Sequence, residues 1–189
     1  MKKKELRRIF KESRKALSID EIEKFNDLIL INFQKLELPF LNCVHSFIPS
    51  LKLAEPDTTN IIRFLKFKNP HIKIAIPKVD IHSGNMIHYH FEDDMEMITN
   101  EFGIDEPLAG EMITEKEIEM VLVPLLAFDK RGFRVGYGKG YYDKFLARCN
   151  PYVIKIGLNF YDAVDEISDI NAFDIPLDFC VTHHKIYAF

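Results

Sequence analysis

The stretch Glu119-Met-Val-Leu-Val-Pro-Leu-Leu-Ala-Phe-Asp-Lys-Arg-Gly-Phe-Arg-Val-Gly-Tyr-Gly-Lys-Gly-Tyr-Tyr-Asp143 decides the fold class. Residues 120–128 form an apolar run bounded by polar residues, which predicts a buried core strand over 119–126. The polar pair Asp129-Lys130 ends it, and a helix over residues 141–148 follows a glycine loop. Strand, glycine loop and helix in succession predict an α/β unit with a ligand site beyond the carboxyl end of the strand. Gly136, Gly138 and Gly140 stand at every second position, with Arg134 and Lys139 among them. Glycines let the backbone approach a ligand closely. Free N–H groups ahead of a helix, with cations beside them, make an anion cradle suited to phosphate. The spacing is G-x-G-x-G, which is neither a dinucleotide fingerprint nor a Walker loop. Tyr141 and Tyr142 add amphipathic rings, and Asp143 falls in the first helical turn. An Asp there suits the helix dipole. Beside a polyphosphate it would repel the ligand unless Mg²⁺ lay between them, so the combination predicts a magnesium–nucleotide site.

Working outward, strand and helix patterns alternate along the chain. Leu6, Ile9, Phe10, Ser13 and Leu17 recur at helical spacing over residues 3–17, and Ser18-Ile-Asp-Glu21 is a capping box opening a second helix. Ile22, Phe25, Ile29 and Phe33 mark that helix's buried stripe, and Pro39 follows its end. Residues 43–48 read as a buried strand, and Asp57-Thr-Thr-Asn60 as the cap of a helix through Phe67. A strand over 71–76 is expected to stop at Pro77; another over 86–91 follows the Ser83-Gly84-Asn85 turn. Residues 100–110 read as a loop broken by Gly103, Pro107 and Gly110. Late strands are expected at 152–158 and 179–182. The expected architecture is α/β: a three-layer α/β/α sandwich with a mostly parallel sheet, in one domain over residues 1–189.

Net charge is −4, which argues against a general nucleic-acid binder. No apolar run is long enough to span a bilayer, so no membrane partner is expected. Cys43, Cys149 and Cys180 form no CxxC pair and no disulfide framework, which fits a reducing, cytoplasmic setting. His88 and His90 lie two apart on one strand face with no third ligand evident nearby, which favours an exposed strand face over a metal site.

Phe128-Asp129-x-x-Gly132-x-Arg134-x-Gly136-x-Gly138-Lys139-Gly140-Tyr141-Tyr142-Asp143 resembles the signature of the 5-formyltetrahydrofolate cyclo-ligase (methenyltetrahydrofolate synthetase) family. Lys3-x-x-x-Arg7, Glu55-Pro-Asp-Thr58, Ile76-Pro77-Lys78 and Phe102-Gly-Ile-Asp-Glu-Pro107 resemble its other elements, in order, across nearly the whole chain. The resemblance implies a fold similar to the sugar-phosphate isomerase and CoA-transferase superfold. It also implies conversion of 5-formyltetrahydrofolate to 5,10-methenyltetrahydrofolate, with ATP as co-substrate and Mg²⁺ as cofactor. It carries ATP contacts to residues 3–7 (Lys3, Lys4, Glu5, Leu6, Arg7) and to 134–142 (Arg134, Val135, Gly136, Tyr137, Gly138, Lys139, Gly140, Tyr141, Tyr142). Arg134 and Lys139 take the catalytic roles. The choice of Lys3 over Lys2 rests on its spacing to Arg7.

Folate contacts carry over to Glu55, to Ser50, where an apolar residue is usual, and to residues 137–141 (Tyr137, Gly138, Lys139, Gly140, Tyr141). A carboxylate such as Glu55 suits the pterin because it accepts two N–H donors. Phe47 and Phe102 are candidates for lining the pterin pocket. The metal ligands implied are Asp143 and, near the C-terminus, Asp174, with Asp178 competing for the second place. Tyr137 stands where the family commonly has a second Arg, and Lys130 or Arg131 is expected to compensate for the missing charge. The implied protein is a monomer or a weak homodimer. An ATP-independent sugar-phosphate or CoA-ester enzyme of the same superfold would carry a catalytic carboxylate in place of the glycine loop. A folate- or nucleotide-binding protein without turnover would bind and form no product.

Overall fold

The computed structural model describes residues 1–100 and 103–189. In chain order the elements are α1 (Lys3–Lys15), α2 (Ile19–Phe33), β1 (Cys43–His45), α3 (Thr59–Lys68), β2 (Lys73–Asp80), β3 (Asn85–His90), β4 (Met97–Thr99), β5 (Asp105–Pro107), β6 (Met112–Ile113), β7 (Met120–Pro124), β8 (Ala127–Phe128), β9 (Arg134–Val135), α4 (Tyr141–Leu146), β10 (Ile154–Asn159), β11 (Phe179–Thr182) and β12 (Ile186–Ala188). The capping box forms as the sequence requires. Ser18 Oγ accepts the Glu21 N–H at 3.3 Å, and the Ser18 N–H donates to Glu21 Oε2 at 2.8 Å.

Eight strands make one sheet in the order β12-β11-β10-β7-β1-β2-β3-β6. The five central strands, β11 to β2, run parallel, and β12, β3 and β6 join antiparallel at the edges. β7 shows why the apolar run had to be central. Met120 and Leu122 pack with Ile29 and Phe33 of α2 and Ile61 and Leu65 of α3. Val121 and Val123 pack on the other face with Phe145 and Leu146 of α4. A strand covered by helices on both faces has no polar side to show, hence the continuous hydrophobic run. The mostly parallel α/β sheet agrees with the sequence expectation.

The topology also fixes where a ligand can sit. From β1 the sheet grows toward β2 on one side and toward β7 and β10 on the other. Such a reversal opens a crevice at the carboxyl ends of the strands. The segment after His45 and the segment after Pro124 both enter that crevice.

Three expectations need correction. β2 does not stop at Pro77 but continues to Asp80, paired with β3 through Asp80↔Asn85. The register of β1 with β2 ends at His45↔Ala75, so Pro77 lies where no β1 strand remains for its absent N–H to meet. Residues 100–110 are not wholly a loop: β5 pairs antiparallel with β4. Val79, two residues beyond Pro77, donates its N–H to Glu106 Oε1 of β5 at 3.0 Å, so a side chain caps the strand where β1 is missing. His88 is not on an exposed face. It is 1% exposed, with its ring centroid 4.3 Å from Phe145 and 5.0 Å from His45. His90 is half-buried, with Nδ1 3.4 Å from Glu111.

Candidate functional site

A cavity of about 1140 Å³ opens at the crevice. Its walls come from the start of α1, the segment after β1, the β4–β5 hairpin, the glycine loop with α4, and residues 171–175. The β8–β9 hairpin holds the loop in place. Asp129 is fully buried and accepts N–H groups from Arg131, Phe133 and Ile167 at 3.0–3.1 Å. Gly132 turns the hairpin at φ +85°, where an added Cβ would lie 2.8 Å from Phe189. The Phe128-Asp129-x-x-Gly132 part of the signature is thus a structural turn.

Beyond it the loop meets α1. Arg7 Nε donates to the Gly136 carbonyl at 2.9 Å. Gly138 has φ +103°, and a Cβ there would sit 3.4 Å from Arg7 Cζ, so the guanidinium occupies the space beside the glycine. Gly140 closes the loop at φ +73° as the residue before α4. Lys3 and Arg7 are one helical turn apart and both line the cavity, together with Lys139. Lys4 and Glu5 are exposed and do not line it, and Leu6 is buried with Ala127, Val135 and Ile167. Val135 is buried beneath the loop.

The carboxylates gather at the α1 end. Asp143 pairs with Arg134 Nη2 at 2.8 Å and accepts the Ile175 N–H at 3.2 Å. Asp174 pairs with Lys3 Nζ at 2.5 Å and accepts the Asn171 N–H. Both line the cavity. Asp178 lies elsewhere, bound by the Lys155 N–H and by Lys155 Nζ at 2.8 Å. Arg134 is 7% exposed; it also donates to the Ile175 carbonyl, so its guanidinium ties β9 to α4 and to residues 174–175. Burial lowers its pKa, and the charges of Asp143 and Asp174 oppose that shift.

At the other wall Glu55 accepts the Ser50 N–H at 2.9 Å. Burial raises its carboxyl above the usual range, while that N–H, the Tyr137 hydroxyl and the Arg14 charge pull it back. Ser50 stands behind Glu55 with its hydroxyl buried and without a hydrogen-bond partner among the described residues. Phe47, Ile48 and Leu53 give this end an apolar lining, as expected for Phe47; Phe102 lies outside the described residues. Tyr137, Gly138, Lys139, Gly140 and Tyr141 line the cavity between the two ends.

Lys130 and Arg131 do not compensate for Tyr137. Lys130 pairs with Asp165 at 2.6 Å, and Arg131 pairs with Asp129 and Glu166 at 2.8 and 3.1 Å. Two cations of α1 reach Tyr137 instead: Arg14, at 3.2 Å from its hydroxyl, and Lys11, whose Nζ lies 5.6 Å from its ring centroid. Arg14 was missed because α1 carries many basic residues. Its signal was a charge standing four residues after Phe10 and eight after Leu6, on the apolar stripe. Glu106, 7% exposed and lining the cavity, was missed with its strand.

The profile of the 5-formyltetrahydrofolate cyclo-ligase family matches residues 1–182. The chain belongs to this family. Among cyclo-ligases, the Haemophilus influenzae protein is 33% identical over 130 residues, covering 66% of this chain and 67% of that one. The Escherichia coli K12 cyclo-ligase is 28% identical over 108 residues, covering 56% of this chain and only 59% of the relative. The solved structure of Aquifex aeolicus 5,10-methenyltetrahydrofolate synthetase superposes with a TM-score of 0.81 at 28% identity, over 100% of this chain and 93% of that one. The cyclo-ligase signature read from the sequence coincides with the loop that walls the cavity. Among the described residues no group of three or more His, Cys, Asp or Glu is arranged to hold a metal by itself, and no helix is long and apolar enough to cross a membrane.

Proposed function

We propose that this family member converts 5-formyltetrahydrofolate to 5,10-methenyltetrahydrofolate, consuming ATP and releasing ADP and phosphate. One observation carries the reading. A single cavity is lined both by Lys3, Arg7, Lys139 and the glycine loop and by Glu55 with Phe47, Ile48 and Leu53. A polyphosphate fits the first set, and a flat ring with N–H donors fits the second.

A formamide oxygen is a poor leaving group, so it must be activated. The formyl oxygen attacks the γ-phosphorus of ATP and ADP departs. N10 of the folate then attacks the imidate carbon and loses its proton, and the carbon–oxygen bond to phosphate breaks as the ring closes. No protein nucleophile is required. The protein orients the two substrates and neutralises phosphate charge. Lys3 and Arg7 reach the loop from α1, and Lys139 belongs to it. Arg134 is assigned to holding Asp143 in place, since its guanidinium is engaged by Asp143 and the Ile175 carbonyl.

Asp143 and Asp174 are chemically suited to Mg²⁺: two carboxylates lining one cavity, Asp143 held by Arg134 and Asp174 paired with Lys3, a cation that a metal could replace. The ion would supply charge neutralisation on phosphate oxygens. Lys3, released from Asp174, would be free to turn to phosphate.

The test is growth of the methenyl absorbance band with 5-formyltetrahydrofolate, ATP and Mg²⁺. Growth is expected only with all three. Product without ATP would favour a different superfold chemistry, and binding without product would leave a non-catalytic folate protein.

A further inference from the structure

Arg14 is 1% exposed and plays no part in the steps above. One guanidinium nitrogen donates to the Leu125 carbonyl and, at 3.0 Å, to Asn159 Oδ1. Another donates to the Tyr137 hydroxyl oxygen at 3.2 Å. A buried charge is costly unless it is compensated, yet Arg14 makes no ion pair within 4 Å among the described residues. The negative charge that acts on both Arg14 and the Tyr137 hydroxyl is Glu55, which lines the cavity with Tyr137.

The chemistry of a phenol gives this chain a direction. Guanidinium has donors and no acceptor, so Tyr137 must accept from Arg14. Its single proton is then left for an acceptor, and the carboxylate beside it is Glu55. Glu55 is held from its own segment by the Ser50 N–H at 2.9 Å. Tyr142 of α4, whose hydroxyl is buried without a hydrogen-bond partner among the described residues, also faces Glu55, and Lys52 lines the same cavity.

We propose that Arg14, Tyr137 and Glu55 form a directional relay in which the buried guanidinium is a positioning residue, holding Glu55 ionised and aimed into the cavity for the N–H donors of the substrate ring. The use of the relay for a pterin rests on the function proposed above; its existence does not. Desolvation alone would favour a protonated Glu55, and a protonated carboxyl offers a donor where the ring also has donors. Arg14 opposes that through one hydroxyl. The aromatic side chain at 137 therefore needs no charge of its own.

Carboxyl-¹³C NMR of Glu55 across pH 4–9 reads its ionisation directly, whether or not the enzyme turns over. In Arg14→Met the midpoint is expected to rise by about one pH unit or more, a tenfold change in the ionised-to-neutral ratio. Tyr137→Phe should raise it by less, and Arg14→Lys should restore most of the wild-type value. In active Arg14→Met enzyme, the acid limb of kcat/KM for the folate should move with that midpoint while KM for ATP stays within about twofold. A structural defect alone would lower activity at every pH. If Arg14→Met does not fold, Tyr137→Phe decides, because it leaves the buried guanidinium in place. Equal midpoints in wild type and in the folded variants overturn the relay. Shifted midpoints in a protein that never forms methenyl product would keep the relay and sink the folate reading.

Discussion

Gly138 has the strictest requirement in the loop. Its φ of +103° strains any L side chain, and the face a Cβ would enter is occupied by Arg7 at 3.4 Å. Gly138→Ala should therefore lower stability by about 1–3 kcal/mol and displace Arg7 from the phosphate end. KM for ATP is expected to rise about tenfold, the loss of about 1.4 kcal/mol of binding. Gly136→Ala is the comparison, since its Cβ would meet nothing within 4 Å and its φ is not positive. Its melting temperature should drop distinctly less. Equal losses in both variants would show that flexibility, not the Arg7 contact, is what the loop needs. The sequence made Gly138 visible through its spacing, but not the side chain it accommodates. Arg14 was harder to see still. Only its place on the stripe of Leu6 and Phe10 separates it from the exposed Arg8 and Lys11, and its burial is imposed by Leu125, Asn159 and Tyr137, each more than a hundred residues away.

The β4–β5 hairpin is held to the sheet in part by one side chain, Glu106, which caps the Val79 N–H at 3.0 Å. In Glu106→Ala that half-buried N–H loses its partner, a cost of about 0.5–1.5 kcal/mol. Hydrogen exchange at Val79 should accelerate in Glu106→Ala and remain close to wild type in Glu106→Gln, which keeps an acceptor. Unchanged exchange in the alanine variant would mean that the hairpin is held by other contacts. This element also marks where legibility ends. β7 was readable because burial on both faces writes a continuous apolar run, and α2 because its capping box and stripe agree. β4 and β5 are three residues each, with Gly103 and Pro107 in or beside the second, so local chemistry says turn while pairing says strand. Pro77 misled for a related reason. It ends a strand only where a neighbour needs its N–H, and the early stop of β1 removes that neighbour. Likewise His88 looked like one of an exposed pair because its sequence cannot show that Phe145 of α4 lies across it.

At the scale of the whole molecule, the layer between sheet and α4 contains two histidines that the folded protein keeps neutral. His45 is fully buried and His88 is 1% exposed. Their ring nitrogens have no hydrogen-bond partner among the described residues. Burial, then the neighbouring His88, holds His45 well below the usual imidazole range; burial lowers His88 to about 4, against the pull of Glu115. In the unfolded chain both titrate near 6.5. Below that pH the unfolded state takes up protons that the folded state refuses, so stability is full above 6.5 and falls as pH drops toward 4. Two such groups remove about 2–3 kcal/mol between pH 7.5 and 5.5, a large share of a typical margin of about 5–15 kcal/mol. Glu55 acts in the opposite sense, since its raised pKa makes the folded state bind a proton more tightly, and it offsets part of the loss. Replacing His88 with Leu keeps the packing against Phe145 and removes one titration. Chemical denaturation of His88→Leu across pH 5.5–7.5 should show about half the wild-type pH slope, and His45→Leu/His88→Leu almost none or a reversed one. An unaltered slope in the double variant would place the acid sensitivity outside this layer.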